Sequence, residues 1–141
     1  MLTLLAVVVL FFALTIALNL LAAAPLMRQG FRPWRSPPTN RPPYAFKSDS
    51  LVQFRGGERI CWLNASWPAS RLTADAEWIA IEGPLRDVWV ARNSVQRVRR
   101  VRGVTTTGIF FQAKDGSCDG VVFWCRNSTI LPQLVSLGWP T

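Results

Sequence analysis

Residues 120–140 read GVVFWCRNSTILPQLVSLGWP, a stretch that combines one buried strand with one closing helix. The segment VVFWC is a continuous apolar run between turn residues, which is typical of a strand with both faces buried. Both faces of the last strand therefore need partners from the rest of the chain.

The closing helix is expected to be short and to stop abruptly. Ser128 is the predicted N-cap, and Pro132 suits the first helical turn, where its missing N–H is tolerated. Gly138 stands where a left-handed residue ends a helix, so that Trp139 folds back on Leu134. Because a short helix with one apolar face is stable only when that face is covered, we expect it to plug the open end of a β barrel.

The chain before this stretch alternates short apolar runs with turn signals. Gly56-Gly57 indicates a hairpin or a bulge, and Gly83-Pro84 and Asp115-Gly116 indicate turns. About six or seven short strands at this close spacing favour a sandwich or open barrel over an α/β fold. The predicted fold of residues 51–141 is a small, mostly-β barrel or sandwich capped by one C-terminal helix.

The same segments resemble one known family. The chain looks like the small PH-like (pleckstrin-homology-type) domains of bacterial membrane proteins in the strand GVVFWCRN, the helix ILPQLVSLGWP and the middle segment RLTADAEWIAIEGPLRDVWVARNSVQRVRRVRG. It is also similar, in FRGGE and ASWP, to a group of single-span actinobacterial proteins. The resemblance covers residues 51–141. It implies a seven-stranded barrel capped by one helix, and it carries over no catalytic residue.

The N-terminal segment is long and uncharged. Residues 2–27 read LTLLAVVVLFFALTIALNLLAAAPLM. As a helix this segment would reach about 39 Å, more than the roughly 30 Å of hydrocarbon in a bilayer. We therefore predict that residues 1–27 form a transmembrane helix that crosses the cell membrane once. The alternative is a signal peptide cleaved after Ala24, although the positively charged start of such a peptide is absent.

Basic residues follow this segment, whereas only the α-amino group precedes it. Because basic residues near a span tend to stay in the cytoplasm, we predict that the N-terminus lies outside and that the β domain is cytoplasmic. The juxtamembrane basic residues are Arg28, Arg32, Arg35, Arg41 and Lys47.

Residues 28–50 form a basic, proline-rich linker between the span and the β domain. Proline at this density disfavours both helices and sheet ladders, so the linker is expected to be an extended spacer. Its mixture of aromatic rings and arginines suits the headgroup region of an anionic leaflet.

The stretch SVQRVRRVRG, residues 94–103, is a dense basic run. Its valines are three residues apart, so a strand here requires an entry turn or a bulge. Its basic face is expected to contact water alone, or else an anionic lipid headgroup or the anionic tail of a membrane-protein partner. Nucleic acid is the least expected partner, because no nucleic-acid-binding motif accompanies the run. The candidate anion-binding residues are Arg97, Arg99, Arg100 and Arg102.

The composition argues against an enzyme. The chain has no histidine, and its cysteines form no C-x-x-C pair, so no catalytic residue, cofactor or metal site is predicted. Its 16 Lys and Arg against 8 Asp and Glu give a net charge of +8. We predict a non-enzymatic, membrane-tethered binding or scaffold module that contacts anionic lipid or a membrane-protein partner. The alternatives are an exported β domain, in which Cys61 and Cys125 are available for a disulfide, and a weak nucleic-acid binder.

Overall fold

A computed structural model describes residues 2–39, 41, 42, 46, 50–104 and 106–141. Over these residues, two α-helices flank a series of seven strands, and a 3-10 turn precedes the fifth strand. The elements in chain order are α1 (Leu2–Met27), β1 (Val52–Ile60), β2 (Leu63–Ala74), β3 (Trp78–Glu82), β4 (Val88–Ala91), the 3-10 turn (Arg92–Ser94), β5 (Val95–Arg102), β6 (Thr107–Ala113), β7 (Val121–Trp124) and α2 (Ile130–Ser136).

The strands form one antiparallel sheet in the order β4-β3-β2-β1-β7-β6-β5. The sheet curls into a half barrel, with β4 and β5 as its two edges. This arrangement confirms the predicted fold class, in which an N-terminal apolar helix precedes a mostly-β domain that ends in one short helix. The β7 strand is buried on both faces, as its unbroken apolar sequence predicted.

The Gly56-Gly57 pair lies inside β1 and forms a bulge rather than a hairpin turn. The register of β1 against β2 shifts between Gly56 and Glu58. A Cβ atom at Gly56 would collide with the carbonyl oxygen of Trp124 on β7, so a side chain does not fit between these strands. Because a bulge bends its strand and increases the local twist, this one helps the sheet to curl.

The main hydrophobic core fills the concave face of the sheet. Ile130 and Leu134 of α2 and the following Trp139 are buried there with Phe111 of β6 and Phe123 of β7. The apolar face of α2 is thus covered by the half barrel, and this burial stabilises a helix that would be too short to persist alone.

The end of α2 has the geometry that its sequence predicted. Gly138 has a φ of +85°, in the left-handed region. The Trp139 N–H donates to the Leu134 carbonyl at 3.0 Å, and the Gly138 N–H donates to the Val135 carbonyl at 2.8 Å. These are the two hydrogen bonds of a Schellman motif. The start of the helix differs from the prediction by one residue, because Thr129 rather than Ser128 is the N-cap.

A second, smaller core lies on the convex face of the sheet, under the end of α1. Leu26 and Phe31 pack there against Val101 of β5, Phe110 of β6 and Val122 of β7. All five side chains are buried. The apolar helix and the β domain therefore share a hydrophobic core in addition to their peptide connection.

The described part of the linker lies against the β domain and is hydrogen-bonded to it. The Arg32 N–H donates to the Asp119 carbonyl at 2.6 Å, and the Trp89 N–H of β4 donates to the Pro38 carbonyl at 3.1 Å. Proline has no backbone N–H that would need an acceptor when buried, which allows a proline-rich segment to pack against a sheet. The buried prolines are Pro33, Pro37 and Pro42.

The opposite edge of the sheet is also covered. On β5, the Val98 N–H donates to the Pro140 carbonyl at 2.6 Å. The Gln29 side chain accepts from the Arg102 N–H at 2.9 Å and donates to the Arg102 carbonyl at 2.8 Å. Since unpaired edge strands recruit other strands, these contacts protect the half barrel from edge-to-edge association.

Candidate functional site

Within the described part of the chain, α1 is the one helix long and apolar enough to cross a bilayer. The segment Thr3–Met27 contains a window of mean hydropathy 2.8 with none of its residues buried. Counted at about 1.5 Å per residue, the roughly 20 residues that end at Ala22 match the thickness of the hydrocarbon layer. The remainder of the helix then extends beyond that layer.

Burial along α1 changes where the β domain begins to contact it. Leu20 and Leu21 are exposed, whereas Ala23 and Leu26 have no exposed surface. A helix that stood free above the bilayer would show no such change. The β domain therefore packs against the C-terminal end of this apolar helix.

A groove of about 780 Å³ opens between this part of α1 and the sheet. Two arginines line it, and no acidic side chain does so among the described residues. Its lining includes Asn19, Arg59, Asn64, Trp67, Val104 and Arg126.

Arg59 forms the inner wall of the groove. It lies on β1 opposite Val122, so its side chain shares the convex face with the second core. Only 3% of Arg59 is exposed, and its Nε atom has no hydrogen-bond partner among the described residues. The Nη2 atom donates to the Asn19 carbonyl at a long 3.4 Å, and the guanidinium carbon lies 5.9 Å from the centre of the Phe31 ring. Burial lowers the pKa of Arg59 because it penalises the charged form.

Arg126 forms the outer wall of the groove, directly after β7. It is exposed, and its guanidinium carbon lies 5.0 Å from the centre of the Trp67 ring, in a cation–π contact. Trp67 is itself 51% exposed. On the same wall, the Trp124 Nε1–H donates to the Asn64 Oδ1 at 3.1 Å, which fixes the indole ring. The groove therefore combines two cations with an exposed aromatic surface.

The arginines predicted from residues 94–103 do not form one patch. The strand is entered through the 3-10 turn and its register shifts between Val95 and Arg97, as the valine spacing required. Val98 then faces the concave core, whereas Val101 faces the convex one. The basic side chains between them are consequently divided between the two faces of the sheet.

Each of these arginines has a different environment. Arg99 lies on the convex face, with its guanidinium carbon 5.3 Å from the Phe110 ring centre. Arg100 donates from Nη2 to the Ser128 carbonyl, ahead of α2. Arg97, Arg100 and Arg102 are exposed, and Arg99 is partly buried. Arg99 and Arg100 thus already make contacts within the protein.

The juxtamembrane basic residues are likewise only partly free. The Arg32 Nε atom lies 3.7 Å from the Asp119 Oδ2, and the Arg41 guanidinium carbon lies 5.3 Å from the Trp89 ring centre. The Arg35 carbonyl accepts from the Cys61 thiol at 3.3 Å while the Arg35 side chain is exposed. Exposed basic residues in the described part of this set are Arg28, Arg32, Arg35 and Arg41, and Lys47 lies outside the described residues.

The cysteines are free thiols. Burial raises the pKa of Cys118 to about 11 and also raises the pKa of Cys61. Over the described residues, no group of three or more cysteine or acidic side chains is placed to hold a metal ion.

Sequence reasoning missed both groove arginines. Arg59 lies near the end of β1, directly before the apolar run ICWL, and a charged residue at the border of such a run was a signal of burial. Arg126 gave no comparable signal, because it follows the last strand in a turn. Comparisons of the chain with protein-family models, with curated proteins and with solved structures find no match.

Proposed function

We propose that the protein is a non-enzymatic binding module that crosses the cell membrane once and presents a cationic groove to anionic lipid at the membrane surface. The observation that carries the proposal is the burial of Ala23 and Leu26 against the β domain. This contact holds the cationic groove beside the last turns of the proposed span, where the acyl chains meet the headgroups. A domain on a flexible tether would have no fixed face toward the leaflet.

The charge of the molecule supports the same function. The chain carries a net charge of +8, and exposed juxtamembrane arginines follow the span. A basic residue near an anionic leaflet contributes about 1 kcal/mol of attraction. The domain is therefore attracted to the surface beside which α1 holds it.

We further propose that the β domain lies in the cytoplasm and is of the PH-like type. The orientation rests on the excess of basic residues after the span. The PH-like assignment rests on the quoted sequence segments and is compatible with a seven-stranded half barrel and a C-terminal helix.

The orientation is tested with reporters fused to Thr141 of the full chain. A reporter that is active only in the cytoplasm should give signal, and one that is active only after export should be silent. The reverse pattern, or a mature protein that begins at Pro25, would support the exported alternative.

Lipid preference is tested with the full chain in mixed micelles. Brominated phosphatidylglycerol should quench the tryptophan fluorescence more than brominated phosphatidylcholine at the same mole fraction, and added salt should reduce the difference. Equal quenching by the two lipids at low ionic strength would contradict the proposed function.

A further inference from the structure

We infer that the groove between α1 and the sheet binds the phosphate-bearing headgroup of one anionic glycerophospholipid, with Arg59 and Arg126 as the phosphate ligands. The lipid would enter sideways from the leaflet that surrounds α1. This inference rests on the proposed function and adds to it a site, a ligand class and the residues that recognise the ligand.

The buried charge of Arg59 favours an anionic ligand. Only 3% of the Arg59 surface is exposed. No acidic side chain among the described residues lies within ion-pair distance of its guanidinium group. An unpaired buried charge is costly, whereas a charge with an anion and hydrogen-bond acceptors is tolerated. Its free Nε–H and the long Nη2 contact to Asn19 leave donors for an oxyanion. A phosphate supplies both the missing charge and the missing acceptors.

The composition of the groove also favours an anion. Arg59 and Arg126 contribute two positive charges, and among the described lining residues none is acidic. Arginine suits phosphate because its planar guanidinium can bond two oxygens at once. A lipid with net negative charge is therefore favoured over a zwitterionic one, whose cationic group would be repelled from the same groove.

The position of the groove along α1 favours a lipid as the source of that anion. Its helix wall consists of Leu18, Asn19 and Ala22, about one span length from the start of the helix. The same groove is lined by Trp67 and by Val104, which is 69% exposed. Tryptophan is characteristic of the membrane interface, and an exposed valine there contacts acyl chains without a desolvation cost. The surface beside the two arginines therefore fits the glycerol and upper acyl region of a lipid better than it fits water.

The occupant follows from this position. The walls are formed partly by a helix that the bilayer surrounds, so the molecules nearest to the opening are lipids of that leaflet. A soluble phosphate or a protein tail would have to displace them. The lipid is therefore the source of the phosphate, and the experiment includes an arm for the soluble ion.

The test uses the full chain in mixed micelles and the binding curve for quenching by brominated phosphatidylglycerol. Arg126→Gln and Arg59→Gln should each shift the midpoint of that curve by about tenfold or more, as expected for losing a charge-assisted bond to phosphate. Arg86→Gln removes the same charge from an exposed site outside the groove and should leave the midpoint within about twofold. Arg59→Gln alters a buried residue and therefore also tests the stability of the fold. Arg126 is exposed, so Arg126→Gln tests binding without a change in the core.

The outcomes separate the inference from the proposed function. If the wild-type chain prefers the anionic lipid but Arg59→Gln and Arg126→Gln behave like Arg86→Gln, the groove site is wrong and the general preference stands. If the wild-type chain shows no preference, both fail. If inorganic phosphate at millimolar concentration reverses the quenching as effectively as unbrominated phosphatidylglycerol does, the groove binds a soluble anion and the lipid assignment is overturned.

Discussion

Removing the Leu26 side chain should destabilise the whole β domain, although this residue belongs to the apolar N-terminal helix. Leu26 has no exposed surface and packs with Phe31, Val101, Phe110 and Val122. Leu-to-Ala changes in protein cores cost about 2–5 kcal/mol. The cavity left here would lie near the open groove and could partly close, so we expect a loss of about 2–3 kcal/mol. For a domain of this size, each 1 kcal/mol lowers Tm by roughly 4–8 °C, which predicts a decrease of about 8–24 °C.

The assay is thermal unfolding of the full chain in a mild detergent, followed by tryptophan fluorescence. Leu21→Ala is the matched control, because Leu21 lies on the same helix and is 66% exposed. Its Tm should change by less than about 2 °C, since an exposed site contributes little to unfolding of the domain. Equal Tm values for the Leu26→Ala and Leu21→Ala variants would refute the conclusion that α1 and the sheet share a core.

Three further changes test other parts of the fold. Burial raises the pKa of Glu58 above its ordinary value of 4.5. The contribution of Glu58 to stability is therefore complete below pH 4.5 and is lost as pH rises through the folded-state pKa. Over that range the Tm of the Glu58→Gln variant should rise relative to the Tm of the wild type. Gly56→Ala should cost at least about 2 kcal/mol in denaturant unfolding, because its Cβ would collide with the Trp124 carbonyl, and a neutral result would contradict the close approach of β1 and β7. The fully buried Cys118, whose pKa is raised to about 11, should be alkylated near pH 8 only after unfolding, and rapid modification of the native chain would show that it is accessible.

The β domain could be predicted from sequence because its signals are local. The apolar run of β7 and the Gly138 stop of α2 each depend on a few consecutive residues, and both have the predicted form. The Gly56-Gly57 pair was ambiguous for the same reason. A local pattern indicates an irregularity in a strand, but the neighbouring strand decides whether it becomes a turn or a bulge.

The contact between α1 and the sheet could not be predicted in this way. Residues 2–27 are apolar throughout, and a uniform pattern gives no indication of which side chains meet lipid and which meet protein. The spacing of Val98 and Val101 held the missing information, because an interval of three in a strand places two apolar residues on opposite faces. One valine faces the concave core, and the other faces Leu26. That second face needed a cover, and the end of α1 provides it.

The same cover explains why the groove rather than the arginine run is the better candidate for recognition. If the linker were free, the net charge of +8 would attract every face of the domain to an anionic surface with little selectivity. Because α1 is fixed to the convex face and the linker is bonded to Asp119 and Trp89, one side of the domain is held beside the helix. The arginines of β5 are divided between two faces, so only some of them can meet the leaflet together. Arg59 is held beside α1 by its burial and by its contact with Asn19. It therefore contacts a ligand in the groove whatever the tilt of the helix.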